Sequence, residues 1–406
     1  MVTIEEAVRL VRENLPPRRT EILPLLDAGG RVLARRVVAP EPAPRYTNAA
    51  MDGFAVRWSD VEPALHGRPV VLQVIGESQA GSPFGGTVEQ GQAVRISTGA
   101  MLPQGADTVV PVEDTQANKG TVTVVRADRQ GQHVRLVGED IAEGEILFEP
   151  GVELTPPRLA ALAALGIREV EAFSEPRVAL LITGNELVAE EAVAPWQIHD
   201  ANGPMLELVF RALGAKVVRR TRTQDQPEAI AQAIAAGYQE ADLVVLTGGV
   251  SVGPHDYVKA AASAAGFQPI FWRVWQKPGK PLFVASCRNC LLMGLPGNPV
   301  SAFVCAVYYL APAIRWLRGG EFGWDLVSAR LAQAVTNSSE RPTFFQARTR
   351  RTSDGQMEIV PHAKQGSHIL TSIAHANSMF LVAAETGLPA GTAVQAILYP
   401  WEAQHA

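Results

Sequence analysis

Between residues 177 and 320, short apolar runs alternate with amphipathic segments of helical length. The apolar runs are RVALLIT, AKVVRRTRT, DLVVLTGG, PIFWRVW, PLFVAS and CLLMGL, and the helical segments include GPMLELVFRALG, QPEAIAQAIAAGYQEA and NPVSAFVCAVYYLAPAIRWLRG. Strands that alternate with helices of about 10–15 residues form βαβ units with right-handed crossovers. This region therefore predicts a central α/β domain on a largely parallel sheet.

Two other regions have a pattern typical of β structure. Short β-type runs separated by Gly and Pro turns occupy residues 48–140 and return after about residue 325. They predict an all-β module and a small, barrel-like C-terminal domain. The segment MVTIEEAVRLVREN predicts an amphipathic helix with Thr3 as its N-cap. The predicted domains are an N-terminal helical linker domain of residues 1–47 and 141–176, a β module of 48–140, an α/β domain of 177–324 and a C-terminal β domain of 325–406.

The composition argues against several classes of protein. Of the 406 residues, 47% are hydrophobic and 19% are charged, as in ordinary globular proteins. The net charge of −5 and the lack of a strong basic patch argue against a nucleic-acid partner. No run of about 18 residues is apolar without polar breaks, so we expect no membrane span. The three cysteines suit a cytoplasmic location, and the C-x-x-C pair Cys287 and Cys290 is a weak metal signal.

Glycine-rich turns follow three of the predicted strands. The turns are LTGGVSVGPHDYVK, VALLITGNEL and MGLPGNPVSAF. In open α/β sheets, ligands bind beyond the carboxyl ends of the strands, and glycines let backbone N–H groups approach an anion. Such a turn can also simply join a strand to a helix. If the turns share one pocket, its candidate substrate-binding residues are Thr183, Gly184, Thr247, Gly248, Gly249, Ser251, Gly253, Pro296, Gly297 and Asn298.

Charged residues accompany these turns. A carboxylate at Asp256 would repel a bound anion unless a cation lay between them, and Mg²⁺ is commonly held by carboxylates together with phosphate oxygens. Asp256 could instead cap a helix. Lys277 and Lys280, in WQKPGKPLF, lie on a loop stiffened by prolines, which suits a compact oxyanion or a phosphate. Two solvated lysines on a hairpin are the alternative.

The β module has polar residues of its own. Asp52 lies in NAAMDGFAVR, Thr98 follows a predicted strand in RISTGAM, and Asp140 lies in GEDI. A turn aspartate beside a glycine is commonly turn chemistry only. Taken singly, these residues leave both interpretations open.

Taken together and in order, these strings resemble one family. The strings NAAMDGFAVR, STGAMLPQGADTVVPVE, GEDI, TGNEL, TGGVSVGPHDYVK, KPGKP and GLPGNPVSAF resemble those of the molybdopterin molybdenumtransferases, called MoeA in bacteria, and of the E domain of gephyrin. They span residues 48 to 303, and the N-terminal helix and the C-terminal tail are compatible with the family. The resemblance therefore covers essentially the whole chain.

The resemblance implies an enzyme of molybdenum cofactor biosynthesis. It would join molybdate to the dithiolene of adenylylated molybdopterin, release AMP and require Mg²⁺. The family's elongated homodimer has its active cleft between the molybdopterin-binding α/β domain of one subunit and the β module of the other. The expected protein partners are the molybdopterin adenylyltransferase and downstream molybdoenzymes.

The resemblance also implies roles for individual residues. The catalytic residues would be Asp52, Thr98, Asp140, Glu186, Asp225 and Asp256, with Glu186, Asp225 and Asp256 as metal ligands. The molybdate-binding residues would be Lys277, Lys280, Pro281 and Ser367. One segment, RPTFFQARTR, departs from the family pattern. Gln346 stands where an arginine is expected and Thr343 where a glutamate is expected, so Arg348 is the candidate replacement.

Two other functions use the same residues differently. The α/β domain could belong to a molybdopterin adenylyltransferase or a nucleotide-cleaving hydrolase, but neither requires the acids of the β module. A non-catalytic scaffold is the other alternative, because the E domain of gephyrin also anchors receptors. The intact acids and lysines argue against a role in scaffolding alone.

Overall fold

The computed structural model of this protein describes residues 1–188, 194–249 and 257–402. The chain divides into two compact units, Ile22–Val170 and the combination of Met1–Glu21 with Glu171–Ala406. The paired strands Thr20–Pro24 and Glu169–Phe173 carry the chain from one unit to the other.

A six-stranded sheet forms the centre of the larger unit. In spatial order its strands are Lys216–Thr223, Arg177–Thr183, Leu243–Thr247, Cys290–Leu295, Phe283–Cys287 and Gln268–Trp272. The first four strands are parallel to one another, and the last two extend the sheet antiparallel. The predicted α/β domain with a largely parallel sheet is therefore confirmed.

Helices cover both faces of this sheet. The helices of the unit are Ile4–Glu13, Asn202–Ala212, Pro227–Glu240, Val258–Ala264, Pro299–Cys305, Ala311–Leu317 and Leu370–Ala374. Along one central strand, Val178, Leu180 and Ile182 belong to one buried core, whereas Ala179 and Leu181 belong to the core on the opposite face. Successive side chains of a strand project to opposite faces, which explains why this strand is apolar throughout.

The N-terminal helix Ile4–Glu13 buries its apolar face in the first of these cores. The Thr3 side chain accepts a hydrogen bond from the backbone N–H of Glu6 at 3.1 Å. This bond satisfies one of the N–H groups left free at a helix start, so the predicted N-cap is confirmed.

The carboxyl ends of three parallel strands lie side by side. The residue pairs across the sheet are Ile182 with Thr247 and Thr247 with Leu295. Gly248 follows directly and donates its backbone N–H to the carbonyl of Leu295 at 3.3 Å. The three glycine-rich turns thus begin at one edge of the sheet, as the sequence predicts.

The predicted long helix after residue 298 contains an irregular turn. A π-helical segment, Ala306–Leu310, separates the helices Pro299–Cys305 and Ala311–Leu317. Pro312 lacks a backbone N–H, so the regular hydrogen-bond ladder cannot continue through it. The helical run Pro299–Leu317 is long and apolar enough to cross a membrane, but 83% of its most apolar window is buried in the protein, as in a core helix.

The C-terminal part of the larger unit is a closed five-stranded barrel, which confirms the predicted barrel-like domain. In spatial order its strands are Leu326–Leu331, Met357–Pro361, Thr343–Arg351, Ser378–Val382 and Ala393–Leu398. Two further pairs in the unit are Val335–Asn337 with Thr386–Leu388 and Leu187–Val188 with Ile198–His199. Closure leaves the barrel without a free sheet edge.

The smaller unit is built on a second six-stranded sheet. In spatial order its strands are Thr108–Pro111, Gly53–Val56, Gln92–Ile96, Val70–Ser78, Thr121–Val124 and Thr115–Asn118. Short pairs are Asn48–Ala49 with Val134–Arg135 and Val37–Val38 with Ile146–Phe148, and the helices are Trp58–Leu65 and Pro156–Ala164. Single 3₁₀ turns occur at Leu25–Ala28 and Val112–Asp114.

The helix Trp58–Leu65 corrects the prediction that residues 48–140 are all β. The strand Gly53–Val56 ends before Trp58, where the helix begins. The carboxylate of Asp107 accepts the backbone N–H of Trp58 at 2.7 Å. This cap comes from 49 residues further along the chain, so local sequence gives no sign of it.

Candidate functional site

A cavity of about 570 Å³ lies at the edge where the three strand ends meet. We call it the carboxylate pocket. The predicted residues that line it are Thr183, Gly184, Glu186, Asp225, Thr247, Gly248, Gly249, Pro296, Gly297 and Asn298. Ser251, Gly253 and Asp256 lie outside the described residues. The structure thus brings together every predicted substrate-binding residue that it describes.

Two glycines of this pocket lie close against Thr183 and leave little or no room for a side chain. Gly248 has a φ of +92°, and a Cβ there would lie 2.3 Å from the carbonyl oxygen of Thr183. A Cβ at Gly249 would lie 3.1 Å from the hydroxyl of Thr183. That hydroxyl is buried and has no hydrogen-bond partner within the described part of the chain. The close approach of backbone to Thr183 explains the glycines, and the unpaired hydroxyl leaves a polar group for a ligand.

Two of the predicted acids line the carboxylate pocket. The carboxylate oxygens of Glu186 would lie 2.9 Å from a Cβ at Gly184, and Oδ1 of Asp225 would lie 3.4 Å from a Cβ at Gly249. Asp225 is also tied to the first turn, because its backbone N–H donates to Oδ1 of Asn185 at 3.2 Å. The described residues contain no cluster of three or more His, Cys, Asp or Glu side chains suited to a metal ion. Two carboxylates nevertheless fit Mg²⁺, which commonly takes one or two carboxylates and completes its shell with phosphate oxygens and water.

A second cavity, of about 410 Å³, is lined by Lys277, Lys280, Pro281 and Ser367. We call it the lysine cavity. It shares Pro281, Pro296 and Asn298 with the carboxylate pocket. Asn298 donates a hydrogen bond from Nδ2 to the hydroxyl of Ser367 at 3.1 Å. A pocket with carboxylates and a pocket with ammonium groups therefore have a common wall.

The loop that carries the two lysines is held at several points. The Lys277 backbone N–H donates to the carbonyl of Pro342 at 2.9 Å, and its carbonyl accepts from Phe344 at 2.8 Å. The buried Gln276 side chain donates from Nε2 to the carbonyl of Pro278 at 3.0 Å and accepts from the Tyr309 hydroxyl at 2.5 Å. The predicted stiffness of this loop thus has a physical basis in these bonds as well as in its prolines.

The β-module residues lie in the other unit. Oδ1 of Asp52 accepts hydrogen bonds from the backbone N–H of Thr98 at 2.6 Å and from its hydroxyl at 3.0 Å. These two donors, the backbone one above all, hold the pKa of Asp52 below its ordinary value. Asp140 is exposed, and its backbone N–H donates to the carbonyl of Ala43 at 3.1 Å. Asp52 and Thr98 therefore form a pair.

Comparison with known proteins identifies the relatives of this architecture. Three family models match in chain order: the MoeA N-terminal region (domain I and II) over residues 2–166, a probable molybdopterin binding domain over 179–316 and the MoeA C-terminal region (domain IV) over 328–399. A relative from Haemophilus influenzae, named molybdopterin molybdenumtransferase, is 35% identical over 397 residues, which is 95% of this chain and 96% of the relative. The chain belongs to the MoeA family.

Other MoeA relatives give the same result. A molybdopterin molybdenumtransferase from Nostoc sp. is 34% identical over 391 residues and covers 94% of this chain and 89% of its own. The crystal structure of the MoeA protein from Pyrococcus horikosii superposes with a TM-score of 0.86 at 29% identity, covering 98% of this chain and 99% of its own. The likeness therefore extends over the whole chain.

Position 346, where the family resemblance predicts an arginine, has a clear structural setting. Gln346 is 1% exposed, lines the lysine cavity and accepts a hydrogen bond at Oε1 from the Tyr399 hydroxyl at 2.5 Å. The Thr343 hydroxyl donates to Oδ1 of Asn337 at 3.0 Å. Arg348, the predicted replacement, is exposed and is not among the residues that line this cavity.

Sequence reasoning missed Asn202, which connects the turns of the carboxylate pocket. Its Nδ2 donates to the Thr247 hydroxyl at 2.8 Å and to the carbonyl of Gly297 at 2.7 Å. Asp200 was missed as well, and its Oδ1 accepts the backbone N–H of Gly203 at 2.8 Å. No local motif predicts these contacts, because the partners of Asn202 lie 45 and 95 residues away.

Proposed function

We propose that this protein is a molybdopterin molybdenumtransferase of molybdenum cofactor biosynthesis, which inserts molybdenum from molybdate into adenylylated molybdopterin and releases AMP. The observation that carries the proposal is the common wall between the carboxylate pocket and the lysine cavity. The first would bind the nucleotide end of the substrate, and the second would bind molybdate. The named activity of the full-length relatives supports the same reaction class.

The carboxylate pocket has groups suited to a phosphate. Gly248 and Gly249 lie at the carboxyl edge of the sheet with positive φ values, and without a Cβ they let an anion approach the backbone of this turn. Glu186 and Asp225 line the same pocket and would hold Mg²⁺, together with Asp256. The bound ion would neutralise charge on the phosphate and polarise it. The carboxylates would also orient the attacking oxygen.

The lysine cavity has groups suited to a compact dianion. Lys277 and Lys280 line it, and Ser367 adds a hydroxyl. Molybdate must approach an anionic dithiolene and a phosphate. Two like unit charges 4 Å apart repel by about 4 kcal/mol at an effective dielectric constant of 20. The two ammonium groups would offset this repulsion.

Further parts of the proposal rest on the family resemblance. We propose that the protein acts as a homodimer in the cytoplasm, with the molybdopterin adenylyltransferase and molybdoenzymes as protein partners. Asp52, Thr98 and Asp140 are proposed as additional catalytic residues. Asp52 would act as a carboxylate, because its two bonds from Thr98 favour the ionised form.

Two variants test the division of roles between the cavities. Asp225→Asn should abolish most AMP release, because removal of one transition-state electrostatic contact commonly costs about 2.7–4 kcal/mol, or roughly 100- to 1000-fold. Lys280→Ala should instead raise the molybdate concentration for half-maximal cofactor formation and change substrate binding little. High salt should partly reproduce the Lys280 defect.

Matched controls are available on exposed surfaces. Asp354→Asn removes a carboxylate charge, and Lys119→Ala removes an ammonium group, each from an exposed position outside both cavities. Both should behave as the unmodified protein does. If Lys280→Ala abolishes binding of adenylylated molybdopterin while molybdate dependence stays unchanged, the lysines belong to the phosphate site and the proposed division is wrong.

A further inference from the structure

We propose that Arg341 is the third cation of the lysine cavity and binds the oxyanion there, in place of the arginine that the family resemblance puts at position 346. The inference rests on the proposed function, because it assigns a further binding residue to the same molybdate site.

Arg341 lines the lysine cavity together with Lys277 and Lys280. Its Nη1 donates to the carbonyl of Gln276 at 2.8 Å, and Gln276 directly precedes Lys277. One guanidinium nitrogen is thus fastened to the lysine loop. A guanidinium has five N–H groups in a rigid fork, so donors remain for an oxyanion.

The backbone around Arg341 is also fixed. Its carbonyl accepts from Nδ2 of Asn337 at 3.0 Å, and its N–H donates to the hydroxyl of Ser339 at 3.2 Å. A side chain that is anchored at both ends loses less conformational freedom when it binds a ligand.

The charge of the cavity favours an anion. Among the residues that the structure describes, its lining contains Lys277, Lys280 and Arg341 and no aspartate or glutamate. Within residues 1–188, 194–249 and 257–402, none of these three cations forms an ion pair with a carboxylate. Three cations that have no carboxylate partner in the described part of the chain form a site that suits a dianion such as molybdate.

Gln346 supplies an independent sign of a ligand in the same cavity. Its side chain is 1% exposed, and Nε2 has no hydrogen-bond partner in the described part of the chain. Buried amides rarely stay unpaired in the absence of a ligand or water. Because this amide is neutral, position 346 adds a donor but no charge, and the third charge comes from position 341. Arg348 does not supply it, since Arg348 is exposed and outside the lining.

Molybdate titration of the full-length protein by isothermal calorimetry tests the inference. Arg341→Gln should raise the Kd for molybdate by roughly 10- to 100-fold, because charge-assisted, forked hydrogen bonds are the strong ones. Arg351→Gln removes an exposed arginine from the same segment and should leave the Kd unchanged within about twofold. Arg341→Gln with Gln346→Arg should recover part of the lost affinity, because the charge returns to the lining of the same cavity, at the position where the family resemblance predicts an arginine.

Each of the following results would overturn the inference. Equal molybdate affinity in Arg341→Gln and the unmodified protein overturns the inference and leaves the proposed function intact. A loss of affinity in Arg348→Gln but not in Arg341→Gln also overturns it. If the unmodified protein releases AMP with molybdenum insertion yet no molybdate binds to the apo protein, the cavity is not a preformed oxyanion site and the inference fails. If Arg341→Gln does not fold, Arg341→Met removes the charge and keeps most of the apolar stem, and an unchanged Kd in that variant is the overturning result.

Discussion

Replacing Gln276 by leucine should loosen the loop that carries Lys277 and Lys280. Gln276 is completely buried, and its side chain links two parts of the unit. Oε1 accepts from the hydroxyl of Tyr309 at 2.5 Å, and Nε2 donates to the carbonyl of Pro278 at 3.0 Å. Leucine has a similar volume but can form neither bond, so the change removes hydrogen bonds without opening a large cavity.

The loss of unfolding free energy in Gln276→Leu depends on how deeply the two groups that lose a hydrogen-bond partner are buried. Tyr309 is fully buried, and a buried hydroxyl without a partner costs about 1–3 kcal/mol. The bond to Pro278, which is partly exposed, contributes about 0.5–1.5 kcal/mol. The total is roughly 1.5–4.5 kcal/mol, which lowers the Tm by roughly 3–18 °C at about 2–4 °C per kcal/mol for a unit of this size.

Calorimetric unfolding of four variants measures the effect. Gln276→Leu and Tyr309→Phe should each lower the Tm, and their double variant should lower it by less than the sum, since both changes remove the same bond. Gln356→Leu, at an exposed position of the barrel, is the control and should be neutral. Gln276→Leu should also raise the molybdate requirement of the enzyme. A Tm within about 2 °C of the unmodified protein, or strict additivity in the double variant, would refute the reasoning.

Three further predictions concern other parts of the molecule. Thr98→Val should raise the pKa of Asp52 part of the way to its ordinary value, because one of two donors is lost, and an NMR titration of the carboxyl group that shows no shift in pKa would contradict this. Any stability that the depressed pKa contributes is present above about pH 4 and is lost as the pH falls through the folded-state pKa. Asn202→Asp should weaken AMP binding and lower the Tm, because Thr247 and the carbonyl of Gly297 lose a shared donor; calorimetry of AMP binding checks this, and unchanged affinity would argue against a positioning role. Sedimentation at micromolar concentration should give twice the mass of the chain, and a fully active monomer would contradict the proposed homodimer.

The carboxyl edge of the α/β sheet could be predicted from sequence because topology places the turns there. Once RVALLIT, DLVVLTGG and CLLMGL are interpreted as parallel strands, their ends must lie at one edge. Thr183, Thr247 and Pro296 then line one pocket without any knowledge of side-chain packing. The apolar pattern of the strands and the spacing of the helices were sufficient for this part of the prediction.

Contacts between distant segments could not be predicted in this way. The helix at Trp58 depends on a cap from Asp107, and the placement of Arg341 depends on a carbonyl 65 residues away, at Gln276. The family resemblance made Arg348 the candidate replacement cation. In the structure Arg341 lines the lysine cavity and Arg348 does not, a difference that only the folded chain reveals.

The proposed reaction couples AMP release to molybdenum insertion. The most direct measurement is a single-turnover reaction of the purified protein with adenylylated molybdopterin, Mg²⁺ and molybdate, in which AMP and pterin-bound molybdenum are quantified together, with and without ATP. The reaction should release one AMP per molybdenum inserted, release little AMP without molybdate and consume no ATP. AMP release without molybdenum insertion would indicate a nucleotide-cleaving enzyme, and consumption of ATP would indicate an adenylyltransferase. Either result would contradict the proposed insertion reaction.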